Sequence, residues 1–175
     1  MPLQQMPHIH ESTESHQVAW RLLLTVHAHA YRRIDDELQK SGLLTFNDYD
    51  VLLTLNEAEK ETLRMSELAE AVLLSNSGMS RRVTALVNSG LVTRTQSKND
   101  GRVYWVKLTT KGRKAIVNTW KAYKPLIEDL FSQHLSEAEA KTMAQLLQKV
   151  LTGTGLPQYR ELLKKHMTDA PKPKP

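Results

Sequence analysis

Two stretches of the chain carry apolar or aromatic residues at alternating steps of four and three, and these stretches constrain the fold most. The first comprises Trp20, Leu24, His27, Tyr31, Ile34 and Leu38, and the second Ile116, Trp120, Tyr123, Ile127, Leu130 and His134. This spacing places each set on one face of a helix. Two such faces would be unusual on a monomer, because each leaves apolar surface beside the segment between them. We therefore expect two chains to pair through these helices.

Charged residues are distributed unevenly along the sequence. Residues 1–61 carry five basic and ten acidic side chains, residues 62–114 carry ten and three, and residues 115–175 carry nine and six. The middle segment therefore has a formal charge of +7, which is typical of a surface that binds a polyanion. A solvated basic surface with no partner is the alternative at this point.

The composition excludes several classes of protein. The chain has no cysteine, so disulfides, thiol redox sensing, cysteine-ligated zinc and a cysteine nucleophile are ruled out. No apolar run approaches the roughly 20 residues that a membrane span needs. The N-terminus also lacks the basic and then apolar pattern of a signal peptide. We expect a cytoplasmic protein with no membrane partner.

The basic segment lies within a run of predicted helices. Thr45 and Asp48 resemble the capping residues of a short helix, and a further helix is predicted over residues 66–72. Ser75 is a suitable N-cap for a third helix, which is expected to end before Gly90.

Two short strands follow, over residues 91–96 and 103–108, with a turn over residues 97–101 between them. Helix, helix, helix and hairpin is the order of a winged helix-turn-helix domain, here covering residues 44–110. The predicted fold class is mainly α with a small β-hairpin wing, flanked by N- and C-terminal dimerisation helices.

The third helix of this unit would be the recognition helix that enters the major groove of DNA. Small polar side chains and one arginine lie near its N-terminal end, where they can bond phosphates or base edges: Ser75, Asn76, Ser77, Ser80 and Arg81. Val83, Leu86 and Val87 are expected to face the core. An amphipathic helix with a polar outer face and no ligand is the alternative.

The turn of the hairpin adds cations to the predicted interface. Lys98 and Arg102 would stand at the end of a two-stranded ribbon, where an arginine can enter a narrow minor groove. Asp100 is interpreted as an orienting partner that pairs with Arg102 or another arginine. Arg82 and Arg94 complete the predicted DNA-contacting set. An isolated Asp-Gly-Arg would indicate only a polar hairpin, but its place after a basic helix that ends in glycine favours DNA.

The stretch from Leu74 to Gly112 resembles the MarR family of bacterial transcription regulators. The resemblance rests on the recognition helix, the "GLV" that follows it, the Asp-x-Arg pair of Asp100 and Arg102, and an "LT-x-x-G" strand exit. It covers about residues 18–150, including "MSELAEAV" at Met65–Val72. The resemblance implies an obligate homodimer with interleaved terminal helices, two winged lobes, a palindromic operator and often a small anionic aromatic effector.

Five segments are expected from these patterns. They are a flexible N-terminal extension (1–15), an N-terminal dimerisation helix (16–43), the winged helix-turn-helix domain (44–110), C-terminal dimerisation helices (111–167) and a disordered Pro/Lys tail (168–175). The C-terminal helices include one capped by Ser136 and a final short one between Pro157 and Met167.

Three residues resemble a set found in the urate-responsive branch of the family. Trp20, Asp50 and Arg82 match a tryptophan of the first long helix, an aspartate of the second and an arginine of the recognition helix. The resemblance implies that an anionic ligand disturbs an Asp–Arg pair tied to the recognition helix. A structural salt bridge is the simpler interpretation.

His27, Tyr31 and Tyr123 are candidates to line the same ligand cleft as Trp20, Asp50 and Arg82. Core or interface packing is the alternative for these three, since each is a single polar aromatic residue on an apolar face. The class of ligand expected is a phenolic or other aromatic anion.

Metal binding and catalysis find no support in the sequence. His8 and His10, like His27 and His29, are two residues apart, so they would point in different directions on a helix. No phosphate loop, nucleophile elbow or acid–base pair is recognisable, so no enzyme activity and no cofactor are expected.

The predicted function is that of a homodimeric, sequence-specific regulator of transcription, a repressor that a small aromatic or anionic effector releases. It would be a bacterial, nucleoid-associated protein of the cytoplasm. The alternative is a helical dimeric interaction module or nucleoid-type architectural protein with a basic wing and no ligand sensing.

Overall fold

The computed structural model of the protein describes residues 12–154. Six helices are present in this part: α1 (Glu14–Lys40), α2 (Phe46–Glu57), α3 (Met65–Ala71), α4 (Asn76–Asn88), α5 (Thr110–Leu130) and α6 (Glu137–Gly153). Three strands, β1 (Thr62–Arg64), β2 (Val92–Gln96) and β3 (Tyr104–Leu108), form an antiparallel sheet in the order β1-β3-β2. This confirms the predicted winged helix-turn-helix fold class.

Local capping signals account for most helix ends. Ser75 accepts the N–H of Gly78 at 3.1 Å and so caps α4, and Ser136 forms the predicted capping box at the start of α6. Gly42 and Gly90 have φ of +65° and +69° immediately after the C-caps of α1 and α4. Those left-handed conformations favour glycine, which is why both helices end there.

The hydrophobic core lies within the winged unit. It is built from one face of each of α2, α3 and α4, the inner face of the sheet and the start of α5: Val51, Leu52, Leu55, Leu68, Met79, Val83, Leu86, Val92, Val106, Leu108 and Ile116. Val87, predicted to face this core, is 36% exposed, so that prediction is wrong. Met79, which is fully buried four residues before Val83, contributes to the core instead.

The apolar stripe of α1 is divided between two surroundings. Ile34 and Leu38 are buried, whereas Trp20 is 60% exposed and Leu24 and Val26 are about half exposed. α6 contains no buried residue at all. The outer part of α1 therefore carries the apolar surface that its stripe predicted, and α6 adds to it. The second predicted stripe lies on α5 instead, where Ile116 is buried and Trp120 and Tyr123 pack against the core of the same chain.

Two other expectations need correction. α1 begins at Glu14 after an N-cap at Thr13, so residues 14 and 15 belong to the helix and not to a flexible extension. β1 adds a third strand to the predicted hairpin by pairing Thr62–Arg64 with residues 105–107. Residues 1–11, the predicted helix between Pro157 and Met167 and the tail over 168–175 lie outside the described residues.

None of the helices within residues 12–154 combines the length and the hydrophobicity needed to cross a bilayer.

Candidate nucleic-acid interface

The exposed face of α4 carries most of the residues predicted to contact DNA. Asn76, Ser77, Ser80 and Arg81 are all exposed. Ser75 is exposed too, but its hydroxyl caps the helix and lies 3.2 Å from the Ser77 hydroxyl. The face therefore offers an amide, two hydroxyls and a guanidinium on one rigid helix, a combination suited to base edges and phosphates.

Thr84 extends this face by one turn, although the sequence prediction omitted it. It is exposed and its hydroxyl donates to the Ser80 carbonyl at 2.9 Å. Its position four residues after Ser80 is the signal that identifies it, because residues four apart lie above one another on a helix.

Arg81 and Arg82 are neighbours in sequence but have different surroundings. Arg82 is directed inward, and its guanidinium donates to the Asp48 carboxylate at 2.7 Å. The two side chains are 27% and 25% exposed. The prediction paired Arg82 with Asp50, which was wrong: Asp50 is exposed on α2, and the pair that ties α4 to α2 uses Asp48. Arg81 is thus the outward cation of the two.

Main-chain hydrogen bonds hold the turn of the wing, which joins β2 to β3. Ser97 donates to the Val103 carbonyl at 2.8 Å, and Val103 donates to the Asp100 carbonyl at 3.0 Å. The Asp100 carboxylate accepts the main-chain N–H of Arg102 at 2.9 Å. Asp100 therefore orients Arg102 through the backbone and not through the predicted side-chain pair, which leaves the turn shaped by an Asx-type bond.

Two arginines pack on aromatic rings of β3. The Arg94 guanidinium lies 5.3 Å from the centre of the Tyr104 ring, and that of Arg64 lies 5.2 Å from the Trp105 ring. Because Tyr104 and Trp105 are adjacent in a strand, they point to opposite faces of the sheet. The wing thus holds an oriented cation on each face, while Lys98 is exposed in the turn.

The end of α4 is fixed by the start of α5. Lys111 donates from Nζ to the Ser89 carbonyl at 2.8 Å, and the Thr109 hydroxyl lies 2.9 Å from the carbonyl oxygens of both Gly90 and Leu91. Cations at a helix C-terminus are favoured by the helix dipole. Lys111 therefore stabilises the C-terminal end of α4. Its ammonium group is engaged there, so it is not counted among the cations available to DNA.

The first turn of α2 is hydrogen-bonded to two other helices. The Phe46 N–H donates to the Asp35 carboxylate of α1 at 2.8 Å, and Asn47 donates to the Tyr31 hydroxyl, also of α1. The next residue, Asp48, binds Arg82 of α4. Contacts from α1 and α4 thus converge on three consecutive residues.

Aromatic rings pack edge-to-face beside this turn. The centre of the Phe46 ring lies 5.5 Å from the ring centres of Tyr31 in α1 and of Tyr123 in α5. The ring centres of Tyr49 and Tyr123 are 5.6 Å apart. Burial raises the pKa of the Tyr49 phenol well above its ordinary range and also raises that of Tyr123. Both hydroxyls are consequently neutral over the physiological range, as expected for a desolvated aromatic cluster.

The predicted ligand residues fall into two places. Trp20 and His27 line an apolar groove of about 500 Å³ between α1 and α6, opposite Met143, Leu146 and Val150. Tyr31 and Arg82 instead contact the first turn of α2. His27 lies between the two, with its ring centre 6.1 Å from that of Tyr31. Within one chain the groove and the Asp–Arg pair are therefore separate features joined by α1.

No group of three or more histidine, aspartate or glutamate side chains within residues 12–154 is arranged to hold a metal ion.

Known proteins are similar to this chain in both sequence and fold. The sequence profile of the MarR family matches residues 44–103. A relative from Bacillus cereus, described as an uncharacterized HTH-type transcriptional regulator, is 30% identical over 118 residues, which are 67% of this chain and 77% of the relative.

Solved structures share the architecture. AbsC, a MarR family transcriptional regulator from Streptomyces coelicolor, superposes with a TM-score of 0.73 at 29% identity, covering 81% of this chain and 95% of AbsC. A mutant MarR from E. coli, solved in complex with operator DNA, gives a TM-score of 0.67 at 27% identity, covering 75% of this chain and 91% of that one.

Proposed function

The chain belongs to the MarR family of DNA-binding transcription regulators, and from that premise we propose that it is a homodimeric repressor. It would bind a palindromic operator in the cytoplasm and leave it when a small aromatic or anionic effector binds. The observation that carries the proposal is the exposed polar N-terminal half of α4 beside a wing that packs Arg94 on Tyr104 and exposes Lys98 and Arg102 in its turn.

The apolar surface of α1 and α6 supports the homodimer. Trp20, Leu22, Leu146 and Val150 are each more than half exposed on these two helices. A contiguous apolar surface of this kind marks an interface, and a second copy offers the same surface in return. Two recognition helices would then meet half-sites about one helical turn apart.

A single charge in the groove tests the dimer. Leu146→Glu is expected to shift the protein toward monomers in sedimentation-velocity runs, because it places a carboxylate in the buried surface. Gln145→Glu adds the same charge at the neighbouring exposed position and should leave the sedimentation coefficient unchanged. A Leu146→Glu variant that sediments like wild type would contradict this interface.

The operator contacts are assigned to the two exposed elements. Asn76, Ser77, Ser80 and Arg81 would meet the major groove or its phosphates, and Arg102 would enter the minor groove. Arg94 and Lys98 would approach the backbone. Arg82 is left out of this set, because its guanidinium is engaged by Asp48.

An operator must first be found, by sequencing the genomic fragments that the purified protein retains. Arg102→Ala is then expected to weaken operator binding well beyond Lys149→Ala, an exposed cation on α6. Equal losses in an anisotropy titration would remove the wing assignment. Equal affinity of the wild type for operator and scrambled duplexes would instead favour the architectural alternative.

The effector is placed at the junction of α1 with the first turn of α2. Trp20, His27 and Tyr31 lie along α1 on the path from the groove to that turn, and Arg82 joins the turn to the recognition helix through Asp48. An anion that binds there and displaces the turn would move α4 and release DNA. Asp50, predicted as the acidic partner, is replaced by Asp48 in this scheme.

Thermal-shift screening of aromatic acids and purines tests the effector. A ligand of the folded protein raises the melting temperature as its concentration exceeds its Kd, and Tyr31→Ala, at this junction, should reduce that rise. The released-repressor scheme fails if no compound in either class shifts the wild type, or if a compound that does leaves operator affinity unchanged.

A further inference from the structure

A cavity lies between the wing and the start of the recognition helix. It measures about 270 Å³ and is lined by Arg64, Ser66, Asn76, Arg102 and Tyr104, among others. At roughly 30 Å³ per water molecule, it has room for about nine waters, and so for an anion that keeps part of its hydration shell. It is separate from the apolar groove and from the first turn of α2.

We propose that this cavity binds one backbone phosphate of the DNA strand that runs between the major and minor grooves, with Arg64 as the principal cation. The proposal rests on the proposed function, because it needs α4 in one groove and the wing in the next. Adjacent grooves of a duplex are separated by one sugar–phosphate backbone. A cavity between the two reading elements must therefore face that backbone.

The donors around the cavity suit a phosphodiester. Arg64 and Arg102 supply guanidinium groups, which match phosphate oxygens in a fork geometry. Ser66 and Asn76 add a hydroxyl and an amide on either side. The four side chains come from four different elements, namely β1, α3, α4 and the wing, so the site does not depend on one helix N-terminus.

Arg64 is held in place before DNA arrives. Its guanidinium packs 5.2 Å from the Trp105 ring centre, and β1 pairs with β3 at the same position, Arg64 opposite Trp105. Tyr104, which lines the cavity, points to the other face of the sheet, so the guanidinium has to turn off the Trp105 ring to meet a phosphate there. The Arg64 side chain remains 52% exposed, so it can still reach a ligand.

Two carboxylates lie near these arginines and oppose an anion. Glu67 is 3.9 Å from Arg64 Nε, outside hydrogen-bond range, while its other oxygen accepts the Arg64 main-chain N–H at 2.8 Å. Asp100 is bonded to the Arg102 main-chain N–H. Neither carboxylate is among the residues that line the cavity, where two arginines, Ser66 and Asn76 stand among the apolar side chains of Met65 and Val103.

The test compares Arg64→Ala with Arg33→Ala in the full-length protein. Arg33 is a matched control, because it is also about half exposed and lies beside a glutamate of its own helix. Arg64→Ala should weaken binding to operator and scrambled duplexes by the same factor, about tenfold for each half-site that the dimer binds. It should also lower the slope of log affinity against log salt by about 0.9 for each half-site, or about 1.8 for the dimer, because each protomer loses one phosphate contact.

A neutral phosphate analogue locates the contact. A methylphosphonate is placed at successive positions of the operator backbone, and one position per half-site should cost the wild type about tenfold. The same substitution should cost Arg64→Ala nothing further, and Arg64→Lys should show an intermediate loss. Circular dichroism and melting temperature confirm that each variant is folded.

The possible results separate this proposal from the function it rests on. An Arg64→Ala variant that binds like Arg33→Ala, or that loses operator but not scrambled binding, overturns the phosphate site. The same holds if every methylphosphonate affects the variant and the wild type equally. A wild type that binds neither duplex overturns the proposed function itself.

Discussion

Gly112 is the most closely packed glycine within residues 12–154, and replacing it with alanine tests the packing of α5 against Leu91 and Leu108. The added methyl group would lie 2.3 Å from the Leu91 carbonyl oxygen and 2.7 Å from Leu108 Cδ1. The leucine side chain can rotate away. The carbonyl is held by Thr109, whose N–H and hydroxyl lie 3.1 and 2.9 Å from it.

The expected cost follows from these contacts. Forcing an extra methyl group into a packed site costs about 1–3 kcal/mol, and a displaced hydrogen bond about 1 kcal/mol more. Alanine returns about 1 kcal/mol, because glycine is a poor helix former. The Gly112→Ala variant should therefore lose about 1–3 kcal/mol of unfolding free energy, or roughly 2–4 °C of melting temperature per kcal/mol.

Gly153→Ala is the matched control. Gly153 is also helical, at the end of α6, and nothing lies within 4 Å of the added methyl group. Urea unfolding at one fixed protein concentration gives both values, since the stability of a dimer depends on concentration. Equal midpoints for the two variants would refute the close-packing argument and leave the glycine of the "LT-x-x-G" motif without a physical reason.

Two further changes address the charge pair and the buried phenols. Asp48→Asn should lower the free energy of unfolding by about 1 kcal/mol, measured in urea, since the Arg82 pair is only partly buried. It should also weaken operator binding, whereas Asp36→Asn on the exposed face of α1 should do neither. Because burial raises the pKa of Tyr49 and Tyr123 above the ordinary 10.0, the unfolded chain loses phenolic protons first, and stability should fall as the pH rises above 10. Tyr49→Phe should flatten that decline in unfolding midpoints measured between pH 8 and pH 11, and an unchanged slope would contradict the assignment.

The sequence was informative where structure depends on neighbours along the chain. Ser75 and Gly90 bounded the recognition helix correctly, because capping and a left-handed C′ residue are local requirements. The buried face of α4 differs from the predicted one by two residues. Val83 and Leu86 are buried as expected, but the face continues backward to Met79 and excludes Val87.

Features that depend on distant partners could not be read from the sequence. β1 has only three residues, and it forms a strand because β3, more than forty residues later, pairs with it. The aspartate that binds Arg82 is a similar case. Asp48 and Asp50 are two residues apart, so they point about 200° apart around α2, and only the position of α4 selects between them.

The first turn of α2 sets a requirement on any effector of the proposed kind. Phe46 is held by Asp35 of α1, and Asp48 holds Arg82 of α4, so a shift of this turn changes the position of the recognition helix relative to α1. A ligand bound against α1 alters DNA affinity only if it binds two positions of the turn with different free energies. By linkage, operator DNA must then weaken binding of that ligand by the same factor by which the ligand weakens binding of the operator. A compound that meets this equality acts through the protein's conformation, whereas one that lowers operator affinity without itself being weakened by DNA does not.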